Sequence, residues 1–528
     1  MTASGPIPHN GSMTLIAFRP ESMPSSGLAL HDTASSRRIE AWALAQHPPF
    51  TLMRRAGEAV FKLSAALYPY AQRPWVACGP GHNGGDGLVA AALWQQRLQG
   101  QGRVHVTWLG DAQHCSPDTQ QALNLALSAG VVLQSQAPPD FDVAIDALWG
   151  LGLQRPPEGL GADWLHTLQT CSQPTLCVDL PSGLHADTGQ WLASNPAQSV
   201  GPRHTLSLLT LKPGLWTGQG RACSGEIWFD DIGITPPNDL ANPIAWLQGP
   251  TGDNRPRMAQ HLAHKGTHGD VWVLGGQWPH HRLPGMVGAA WLAARAALRS
   301  GAGRVYVRTL EAEASAADSM YSMAIDPLYP EIMHRPRLPI GQDPAVSNAT
   351  VVCGCGGGQQ VAAWLPHLIA QAPALVLDAD ALNALAADKG LLGTLNKRQH
   401  RGLTTVLSPH PLEAARILGV SVNEVQQHRI DAAQTLANQT GAIVVLKGSG
   451  TVVSATNHKA IINPTGNALL ATAGSGDVLA GMLGAALAAH HQLSTTELQA
   501  LCARTVFAHG LKANLWQGTK PMVASDLL

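Results

Sequence analysis

Acidic residues beside glycine-rich turns are the residues of this sequence best suited to chemistry. Asp477 ends the turn Ala473-Gly474-Ser475-Gly476-Asp477, which lies in the stretch Asn463–Gly481 and directly precedes an apolar helical pattern. Small residues at the start of a helix leave backbone N–H groups free to face an anion. Because a carboxylate beside bound phosphate is repelled by it, Asp477 indicates a chemical or metal-related role, although the helix dipole alone would also favour an acid there.

The segment Lys447-Gly448-Ser449-Gly450-Thr451 offers the other half of a phosphate site. It follows the apolar run Ile443–Leu446 and supplies a cation, a hydroxyl and flexible backbone N–H groups. Together with Gly476 it predicts a cradle for nucleotide phosphates, beside which Asp477 could take a proton from a substrate hydroxyl. It is not a P-loop, because its lysine precedes the glycines and no GxxxxGK[ST] pattern occurs in the sequence.

Polar groups also follow two other apolar runs of the C-terminal half. His410 lies between prolines in Ser408-Pro409-His410-Pro411, a rigid loop in which it could act chemically or serve as a turn or packing histidine. Asp378 and Asp380 follow the run Ala374–Leu377. These two acids could form a metal–water site or cap the next helix, and capping is favoured.

The cysteines and a histidine pair indicate structural roles. Eight cysteines are scattered along the chain without a CxxC pair, which is typical of a reduced, cytoplasmic compartment. Cys353 and Cys355 lie in an apolar run, and a buried strand is favoured there over a metal site. The neighbours His280 and His281 are predicted to lie in a solvated loop with no role.

Three turns of the N-terminal half also carry polar residues. Gly79-x-Gly81-x-x-Gly84 fits the dinucleotide fingerprint, so a hydride-transferring dehydrogenase is one hypothesis. Against it, the turn continues as Asn83-Gly84-Gly85-Asp86-Gly87, and two other apolar runs end in Asp146 and Asp179. The carboxyl ends of strands line the ligand crevice of an open α/β sheet, so these groups and Ser182 could converge there. Oxygen-rich clusters suit hard cations and acid/base chemistry, although each Asp alone could be a loop cap.

Strand patterns alternate with helical patterns through both halves, which predicts two α/β domains. The 528 residues exceed what one hydrophobic core can hold. The polar, proline-rich segment 235–257 predicts a linker, and we expect domains at 31–245 and 246–528. Residues 1–30 lack a signal-peptide pattern and are expected to form a disordered or loosely ordered tail, in which Met13 or Met23 could be the true start.

Charge and hydropathy exclude two classes of partner. The net charge is −1 and no basic run occurs, so the sequence has no footprint for nucleic acid or an anionic membrane. No apolar run approaches the ~18 residues that are needed to span a bilayer. We therefore expect a soluble, cytoplasmic protein.

Three ordered motifs of the N-terminal half resemble the NAD(P)H-hydrate epimerase family. They are Gly79–Gly87, Asp146–Gly152 and Asp179–Gly189. The resemblance implies a Rossmann-like three-layer α/β/α domain that interconverts the R and S epimers of hydrated NAD(P)H. It also implies a potassium ion held by Asn83, Asp146 and Ser182, with Asp179 as the catalytic acid/base.

By this resemblance, residues of three loops bind the hydrate. They are His82, Asn83, Gly84, Gly85, Asp86, Gly150, Leu151, Gly152, Leu153, Gln154, Arg155, Pro156 and Asp179. The family usually has Asn-Asn-Gly-Gly-Asp in the first loop, and His82 replaces the first of these residues here. An imidazole can still donate a hydrogen bond, but its charge varies near neutral pH, so altered epimerase activity is expected.

The C-terminal half resembles the ADP/ATP-dependent NAD(P)H-hydrate dehydratase family, which has a ribokinase-like fold. The matching motifs, in the expected order, are Lys265–Gly276, Gly285–Ala290, Gly301–Gly303, Gly354–Gly358, Asp378–Asn383, Pro409–Pro411, Lys447–Thr451 and Gly474–Gly481. The resemblance implies that the hydrate is faced by Ala289, Gly358, His410 and Asp477. It implies that the nucleotide is faced by Lys447, Gly448, Ser449, Gly450, Thr451 and Gly476, with Mg²⁺ neutralising the phosphates. Two residues that depart from the family's usual pattern are Leu412 and Gln277.

Together the two resemblances imply a fused, bifunctional enzyme that repairs hydrated NAD(P)H. The epimerase would supply the S epimer to the dehydratase. ADP would phosphorylate the hydrate with release of AMP, and elimination of phosphate would regenerate NAD(P)H. A homo-oligomer is implied as well. Two alternatives stay open: a ribokinase-like small-molecule kinase that acts on a vitamin precursor, and a non-catalytic NAD(P)H-binding protein.

Overall fold

The computed structural model describes residues 16–19, 23–194, 198–250, 264–279, 284–310, 326–335, 338–490 and 493–528. The chain divides into two compact units. The first contains the described residues up to Met23 and Ala29–Ala245, and the second contains Pro24–Leu28 and the described residues of Trp246–Leu528. His280 and His281, whose solvated loop was expected, lie outside the described residues.

The first unit is built on a mainly parallel sheet. The strands of this sheet are β1 (Ile16–Ala17), β3 (Pro74–Cys78), β4 (His105–Trp108), β5 (Val132–Gln134), β6 (Val143–Ala147), β7 (Thr175–Val178), β8 (Arg203–Leu208) and β9 (Glu226–Asp230). The strand between β1 and β3 in the sequence, β2 (Leu28–Leu30), belongs to the other sheet. The helices of the first unit are α1 (Thr33–Gln46), α2 (Thr51–Leu67), α3 (His82–Leu98), α4 (Pro117–Ser128), α5 (Gly159–Thr170) and α6 (Gly220–Cys223), with a 3-10 turn at Pro213–Leu215. The strand order is β1-β9-β8-β7-β6-β3-β4-β5. Only the β1–β9 pair of this order is antiparallel.

Both faces of this sheet are covered, which explains why its central strands are continuous apolar runs. On β3, Val76 and Cys78 belong to a core cluster with α2, α3 and α4. The alternate residues Trp75 and Ala77 belong to a cluster on the other face with α5. Because successive residues of a strand point to opposite faces, the unit has three layers, and the expected α/β/α architecture is confirmed.

The expected loose tail is ordered where the structure describes it. Ile16 and Ala17 pair with Phe229 and Trp228 of β9. Phe18 is buried, and its ring lies 5.4 Å from that of Trp216 in an edge-to-face contact. Apolar burial and strand pairing therefore fix residues that composition alone assigned to a tail. Residues 1–15 and 20–22 lie outside the described part of the chain.

The second unit is built on the larger sheet. Its strands are β10 (Ala245–Leu247), β11 (Asp270–Gln277), β12 (Arg304–Leu310), β13 (Met333–His334), β14 (Thr350–Cys353), β15 (Ala374–Leu377), β16 (Thr404–Leu407), β17 (Ile443–Leu446), β18 (Val452–Ser454) and β19 (Ala460–Ile462). Its helices are α7 (Val287–Arg299), α8 (Val361–Gln371), α9 (Asp380–Ala387), α10 (Lys389–His400), α11 (Pro411–Leu418), α12 (Val422–Gln427), α13 (Arg429–Thr440), α14 (Ser475–Ala488) and α15 (Thr495–Asn514). Short 3-10 turns occur at Lys265–His268, Pro344–Ser347, Ala468–Leu470 and Ala524–Leu527.

The strand order of this sheet is β13-β12-β11-β14-β15-β16-β17-β18-β19-β10, followed by β2, whose Leu28 belongs to the second unit. The strands from β13 to β17 are parallel, and β18 and β19 are antiparallel additions. One face packs on α7, α14 and α15. On the other face Trp272 of β11 meets Trp364 of α8 at 5.9 Å between ring centroids. The expected ribokinase-like α/β class is confirmed for this unit.

The segment 235–257 differs from the linker that its composition predicts. Ala245–Leu247 forms β10, and Gln248 N–H donates to the Ile462 carbonyl at 2.9 Å. Alternation of buried and exposed residues within a three-residue strand is too short a pattern to detect among prolines. Residues 251–257 lie outside the described residues.

Candidate active sites

Asp179 is held at the carboxyl end of β7 by a buried lysine. Its backbone adopts φ 65°, a left-handed conformation that is rare for a residue other than glycine. Its Oδ1 accepts the Leu208 N–H at 3.2 Å and also accepts a hydrogen bond from the ammonium of Lys212. Lys212 is almost fully buried and donates to the Leu208 carbonyl at 2.8 Å. The ion pair therefore fixes the predicted acid/base in one orientation.

None of the sequence motifs singled out Lys212. A single lysine within the otherwise apolar segment 205–216 was the available signal, since an unpaired lysine is almost never fully buried.

A cavity of about 490 Å³ opens beside Asp179. Seven of the predicted hydrate-binding residues line it: His82, Asn83, Asp86, Gly150, Leu151, Gly152 and Asp179. Its other walls include apolar side chains such as Leu52, Met53 and Trp149. An apolar cavity with a few convergent polar groups is the usual form of a small-molecule site. The remaining predicted residues, Gly84, Gly85 and Leu153–Pro156, are not among the lining residues.

The glycine-rich motif forms the first turn of α3, which begins at His82. Gly84 is required there, because a Cβ at this position would lie 2.0 Å from the Gly79 carbonyl oxygen. The turn places Asp86 in the wall of the cavity. Burial, followed by the nearby charge of Asp179, raises the pKa of Asp86 well above its ordinary value. Asp86 and Asp179 are thus a pair of carboxyl groups whose environments differ.

His82 contacts an acid that the motifs did not reveal. Its Nδ1 lies 3.4 Å from Oε1 of Glu40 on α1, and both residues line the cavity. This hydrogen bond raises the pKa of His82 above its ordinary value, with burial acting in the opposite direction. The imidazole in the cavity wall is therefore more basic than an ordinary histidine.

Of the three predicted potassium ligands, Asp146 and Ser182 form a buried hydrogen-bonded pair, and Asn83 lines the cavity. Asp146 is fully buried and accepts hydrogen bonds from Ser182 N–H at 2.9 Å, Ser182 Oγ–H at 2.5 Å and Leu148 N–H at 3.4 Å. All three donors are neutral, and burial raises the pKa of Asp146. The amide Nδ2 of Asn83 is buried without a partner among the described residues. Oxygen atoms that can act as ligands around a buried carboxylate fit a hard monovalent cation.

In the second unit, Asp477 lies in the first turn of α14, as predicted. Burial, followed by the nearby charge of Asp378, raises the pKa of Asp477 to about 6. A Cβ placed at Gly476 would lie 3.5 Å from the Lys447 Nζ and 3.9 Å from Asp378 Oδ2. The start of the helix therefore faces an ion pair, and a side chain at residue 476 would reduce the space between them.

The interpretation of Asp378 and Asp380 as helix caps is wrong. The N-cap of α9 is Ala379, with φ 45° and no side-chain cap bond. Asp378 does not cap the helix because its Oδ1 accepts hydrogen bonds from the Lys447 ammonium and from the Ser408 hydroxyl, the latter at 3.1 Å. Asp380 instead accepts the Gly358 N–H at 2.8 Å. Both carboxylates therefore accept hydrogen bonds from loops at neighbouring strand ends, and Asp378 is the ion-pair partner of Lys447.

Arg429, which none of the sequence motifs indicated, donates hydrogen bonds to backbone carbonyls at the Lys447–Thr451 loop. One guanidinium nitrogen donates to the carbonyls of Leu446 at 3.2 Å, Lys447 at 3.1 Å and Gly450 at 3.4 Å. Burial lowers the pKa of Arg429 to about 10. Because the Lys447 N–H donates to the Pro409 carbonyl at 2.8 Å, the backbone N–H groups of this loop that could bind an anion are those after Lys447.

His410 caps α11 with its own ring. Nδ1 accepts the N–H groups of Leu412 at 3.1 Å and Glu413 at 3.3 Å, and Nε2 lies 3.1 Å from Glu413 Oε1. Burial lowers the pKa of His410, with Lys447 acting in the same direction. This supports the structural alternative for His410, and its contact with the hydrate stays a prediction. The side chain is about half exposed.

A second cavity, of about 430 Å³, lies at the Gly354–Gly358 loop. It is lined by Gln277, Pro284, Met286, Gly358, Gln359, Ala362, Asp380, Asn383 and Ala384. Gly358 is thus the predicted hydrate contact that lines it, whereas Ala289, His410 and Asp477 lie elsewhere. Ala289 belongs to α7, where its Cβ would be 2.9 Å from a Cβ at Gly356.

Cys355 was expected in a buried strand, but β14 ends at Cys353 and Cys355 lies in the following loop. Among the described residues, Cys355, Asp378 and Asp477 form a group whose possible ligand atoms lie within 4.8 Å of one another. Burial, followed by the charges of Asp477 and Asp378, raises the pKa of the Cys355 thiol well above its ordinary value. The thiol is buried as expected, and it is protonated beside the candidate base.

Comparison with known proteins agrees with this geometry. A family model described as NAD(P)H-hydrate dehydratase matches residues 271–528, and one described as YjeF-related protein N-terminus matches residues 49–214. The bifunctional NAD(P)H-hydrate repair enzyme Nnr of Escherichia coli K12 is 35% identical over 506 residues, which are 90% of this chain and 88% of that protein. The chain belongs to the family of bifunctional NAD(P)H-hydrate repair enzymes.

Another bifunctional repair enzyme and one solved structure are also similar to this chain. The bifunctional repair enzyme of Vibrio cholerae is 33% identical and covers 94% of each chain. An ADP/ATP-dependent NAD(P)H-hydrate dehydratase of Bacillus subtilis, co-crystallised with ATP and Mg²⁺, is 28% identical, with a TM-score of 0.39, over 51% of this chain and 89% of that one.

Membership in the bifunctional repair enzyme family covers both halves of the chain, so the resemblance drawn from the motifs is confirmed. The chain is an enzyme with two catalytic units. Within the described residues, no helix combines the length and apolarity that crossing a membrane requires.

Proposed function

We propose that this chain repairs hydrated NAD(P)H in two steps. The first unit interconverts the R and S epimers, and the second dehydrates the S epimer to NAD(P)H while converting ADP to AMP and phosphate. Family membership over both halves supports the pair of activities. The observation that carries the proposal is Asp477, a carboxyl with a pKa of about 6 at a glycine-rich helix start that faces Lys447.

In the dehydratase, Asp477 takes the proton of the hydrate's hydroxyl while that oxygen attacks the terminal phosphorus of ADP and AMP leaves. Lys447, Gly448, Ser449, Gly450, Thr451 and Gly476 bind the phosphates through the lysine ammonium and backbone N–H groups. The C–O bond of the phosphorylated hydrate then breaks, the neighbouring ring carbon loses a proton, and phosphate leaves. Mg²⁺, arriving with ADP, supplies charge neutralisation at the phosphates.

In the epimerase, Asp179 acts as acid/base on the hydrate in the 490 Å³ cavity. Lys212 orients Asp179, and His82, Asn83 and Asp86 contact the substrate. K⁺ would be held by Asn83, Asp146 and Ser182, where it would supply positive charge next to the bound dinucleotide. The buried carboxylate of Asp146 and the unpartnered Asn83 amide fit such an ion, since amide rotation presents an oxygen.

The test is recovery of reduced nicotinamide absorbance when ADP is added to purified S-hydrate. Wild type should restore the absorbance and release phosphate in equal amount, whereas Asp477→Asn should be slower by about 10²–10⁴-fold. Absence of recovery with wild type would reject the dehydratase. A stable phosphorylated product without phosphate release would instead favour the small-molecule kinase. Running ADP and ATP in parallel settles the nucleotide.

The epimerase is tested with the R epimer as the starting substrate. Wild type should convert it to NAD(P)H in the presence of ADP, and Asp179→Asn should act on the S epimer only. We also expect a cytoplasmic homo-oligomer, which sedimentation of the purified protein can check. The eight free cysteines fit a reducing compartment.

A further inference from the structure

Cys355 is fixed in place by the backbone of its loop. It follows β14, its carbonyl accepts the Gly276 N–H at 2.9 Å, and its side chain is 1% exposed. A Cβ at Gly275 would lie 2.4 Å from the Cys355 carbonyl oxygen, so the neighbouring strand also approaches closely. The backbone of Cys355 is therefore fixed by packed neighbours, and its thiol lies in a closed interior.

The thiol points to the two carboxylates of the dehydratase site. Its Sγ and carboxylate oxygens of Asp477 and Asp378 lie within 4.8 Å of one another. Of these acids, Asp378 already accepts hydrogen bonds from Lys447 and Ser408. The Cys355 thiol lies within reach of Asp477, and hydrogen bonding to this thiol acts to lower the pKa of Asp477, against the larger effect of burial. The Lys447 ammonium is thus the partner of Asp378, and the Cys355 thiol is the neighbour of Asp477.

A protonated thiol is suited to this task. It is a weak donor, so it can hold a carboxylate oxygen in place without binding it as strongly as an ammonium would. A base that keeps one oxygen free can accept a substrate proton on that oxygen. The other oxygen then defines the direction in which the free one points.

We propose that Cys355 is a positioning residue for the dehydration, with its thiol holding one carboxylate oxygen of Asp477 so that the other faces the substrate hydroxyl. The inference rests on the proposed dehydratase function. It predicts that Cys355 stabilises the ionised form of Asp477, because a donated hydrogen bond favours a carboxylate over a carboxylic acid.

Three variants test this role. Cys355→Ala removes the donor, and the acid limb of the kcat–pH profile should move up by about one pH unit with little change in the KM for ADP. Cys355→Ser keeps a donor and should leave the limb at or below its wild-type position. Cys353→Ala is the matched control, since Cys353 is equally buried two residues away on β14. An unmoved limb in Cys355→Ala, or an equal shift in Cys353→Ala, would overturn the proposal.

A spectroscopic readout decides the inference without activity. The wild-type minus Cys355→Ser infrared difference isolates the S–H stretching band of Cys355, which reports hydrogen bonding of this thiol. The band should shift as Asp477 titrates, and Asp477→Asn should abolish that shift. A pH-independent band in wild type would reject the contact. If the band titrates but S-hydrate is never dehydrated, the proposed function fails while the Cys355–Asp477 contact stands.

Discussion

Lys447 and Asp378 form a partly buried ion pair that connects the ends of two strands with a third strand between them. Lys447 follows β17 and Asp378 follows β15. Ser408, at the end of the intervening β16, donates its hydroxyl to the same Asp378 oxygen at 3.1 Å. A parallel sheet brings such strand ends together, so three distant sequence motifs meet beside the first turn of α14.

Removing the negative charge of Asp378 should lower the pKa of the neighbouring base, Asp477. Asp378→Asn removes a negative charge that helps to raise the pKa of Asp477. The acid limb of the dehydratase kcat–pH profile should therefore move to lower pH, opposite to the shift expected for Cys355→Ala. The variant should also unfold more easily, because the partly buried Lys447 ammonium loses its charged partner.

Both effects of Asp378→Asn can be measured on one preparation, by a pH–rate series and by denaturant unfolding. The matched control is Asp388→Asn, since Asp388 lies on the same unit and caps α10 from an exposed position. A wild-type acid limb in Asp378→Asn would contradict the electrostatic coupling of the two acids.

The wild-type dehydratase should lose activity as the pH falls through about 6. Asp477 must be ionised to accept a proton, and burial holds its pKa at about 6, above the usual range for a carboxyl. Activity should therefore rise with pH below this value and level off above it. A kcat–pH profile at saturating ADP measures the limb, and a limb that stays in place in Asp477→Glu and Asp378→Asn alike would assign it to another group.

The same pKa predicts a stability effect of opposite sign. A carboxyl whose folded pKa is raised contributes stability below its unfolded pKa and loses it as the pH rises through the folded value. At neutral pH Asp477 is therefore a destabilising group in the ligand-free protein. Asp477→Asn should raise Tm at pH 7 while it abolishes dehydration, and should have little effect on Tm at pH 4. Thermal scans at the two pH values test this.

The sequence was informative where a motif both starts an element and carries the chemistry. Asp477 and Lys447 were located this way, because glycine-rich turns between apolar runs mark strand ends and helix starts. The residues that support them were not predictable. Arg429 and Cys355 act through tertiary contacts with segments far away in the chain, and neither has a local pattern that distinguishes it from an ordinary surface arginine or core cysteine.

The error at Asp378 has the same origin. An acid just before a helix is a frequent cap, and local chemistry alone favours that use. Lys447, which lies 69 residues further along the chain, competes successfully for the same carboxylate. A charged donor binds a carboxylate more strongly than a backbone N–H group does, so tertiary structure overrode the local preference.

Lys212→Met should abolish epimerisation and destabilise the first unit. The substitution keeps an unbranched side chain in a buried site but leaves Asp179 without its ammonium partner, which costs about 3–5 kcal/mol of unfolding free energy. Turnover of the R epimer should fall, while ADP-dependent turnover of the S epimer should persist because its site lies in the other unit. Lys62→Met, at an exposed lysine of α2, is the matched control.

A double variant separates the two effects of Lys212. In Lys212→Met with Asp179→Asn, no buried charge is left unpaired, so much of the lost stability should return. Epimerase activity should remain absent, since the acid/base is also gone. If Lys212→Met alone kept full R-epimer turnover, the orienting role of the lysine would be wrong, whatever its effect on stability.

His82 should make substrate binding by the epimerase depend on pH. The hydrogen bond that His82 donates to Glu40 raises the pKa of His82 above its ordinary value, so the imidazole carries positive charge below that raised pKa and loses it as the pH increases. A cationic side chain in the cavity wall attracts an anionic dinucleotide. The KM for the R epimer should therefore rise with pH through this range, whereas kcat should change little.

His82→Asn, which introduces the residue usual in the family, should give a KM that is independent of pH over the same range. Glu40→Gln should move the wild-type transition to lower pH, because it removes the charged partner that favours protonation. His114→Asn is the control, since His114 is an exposed histidine that pairs with Asp111 rather than with the cavity. Equal pH dependence of KM in wild type and His82→Asn would show that another group titrates, and Asp86, which lines the same cavity, would be the next residue to replace.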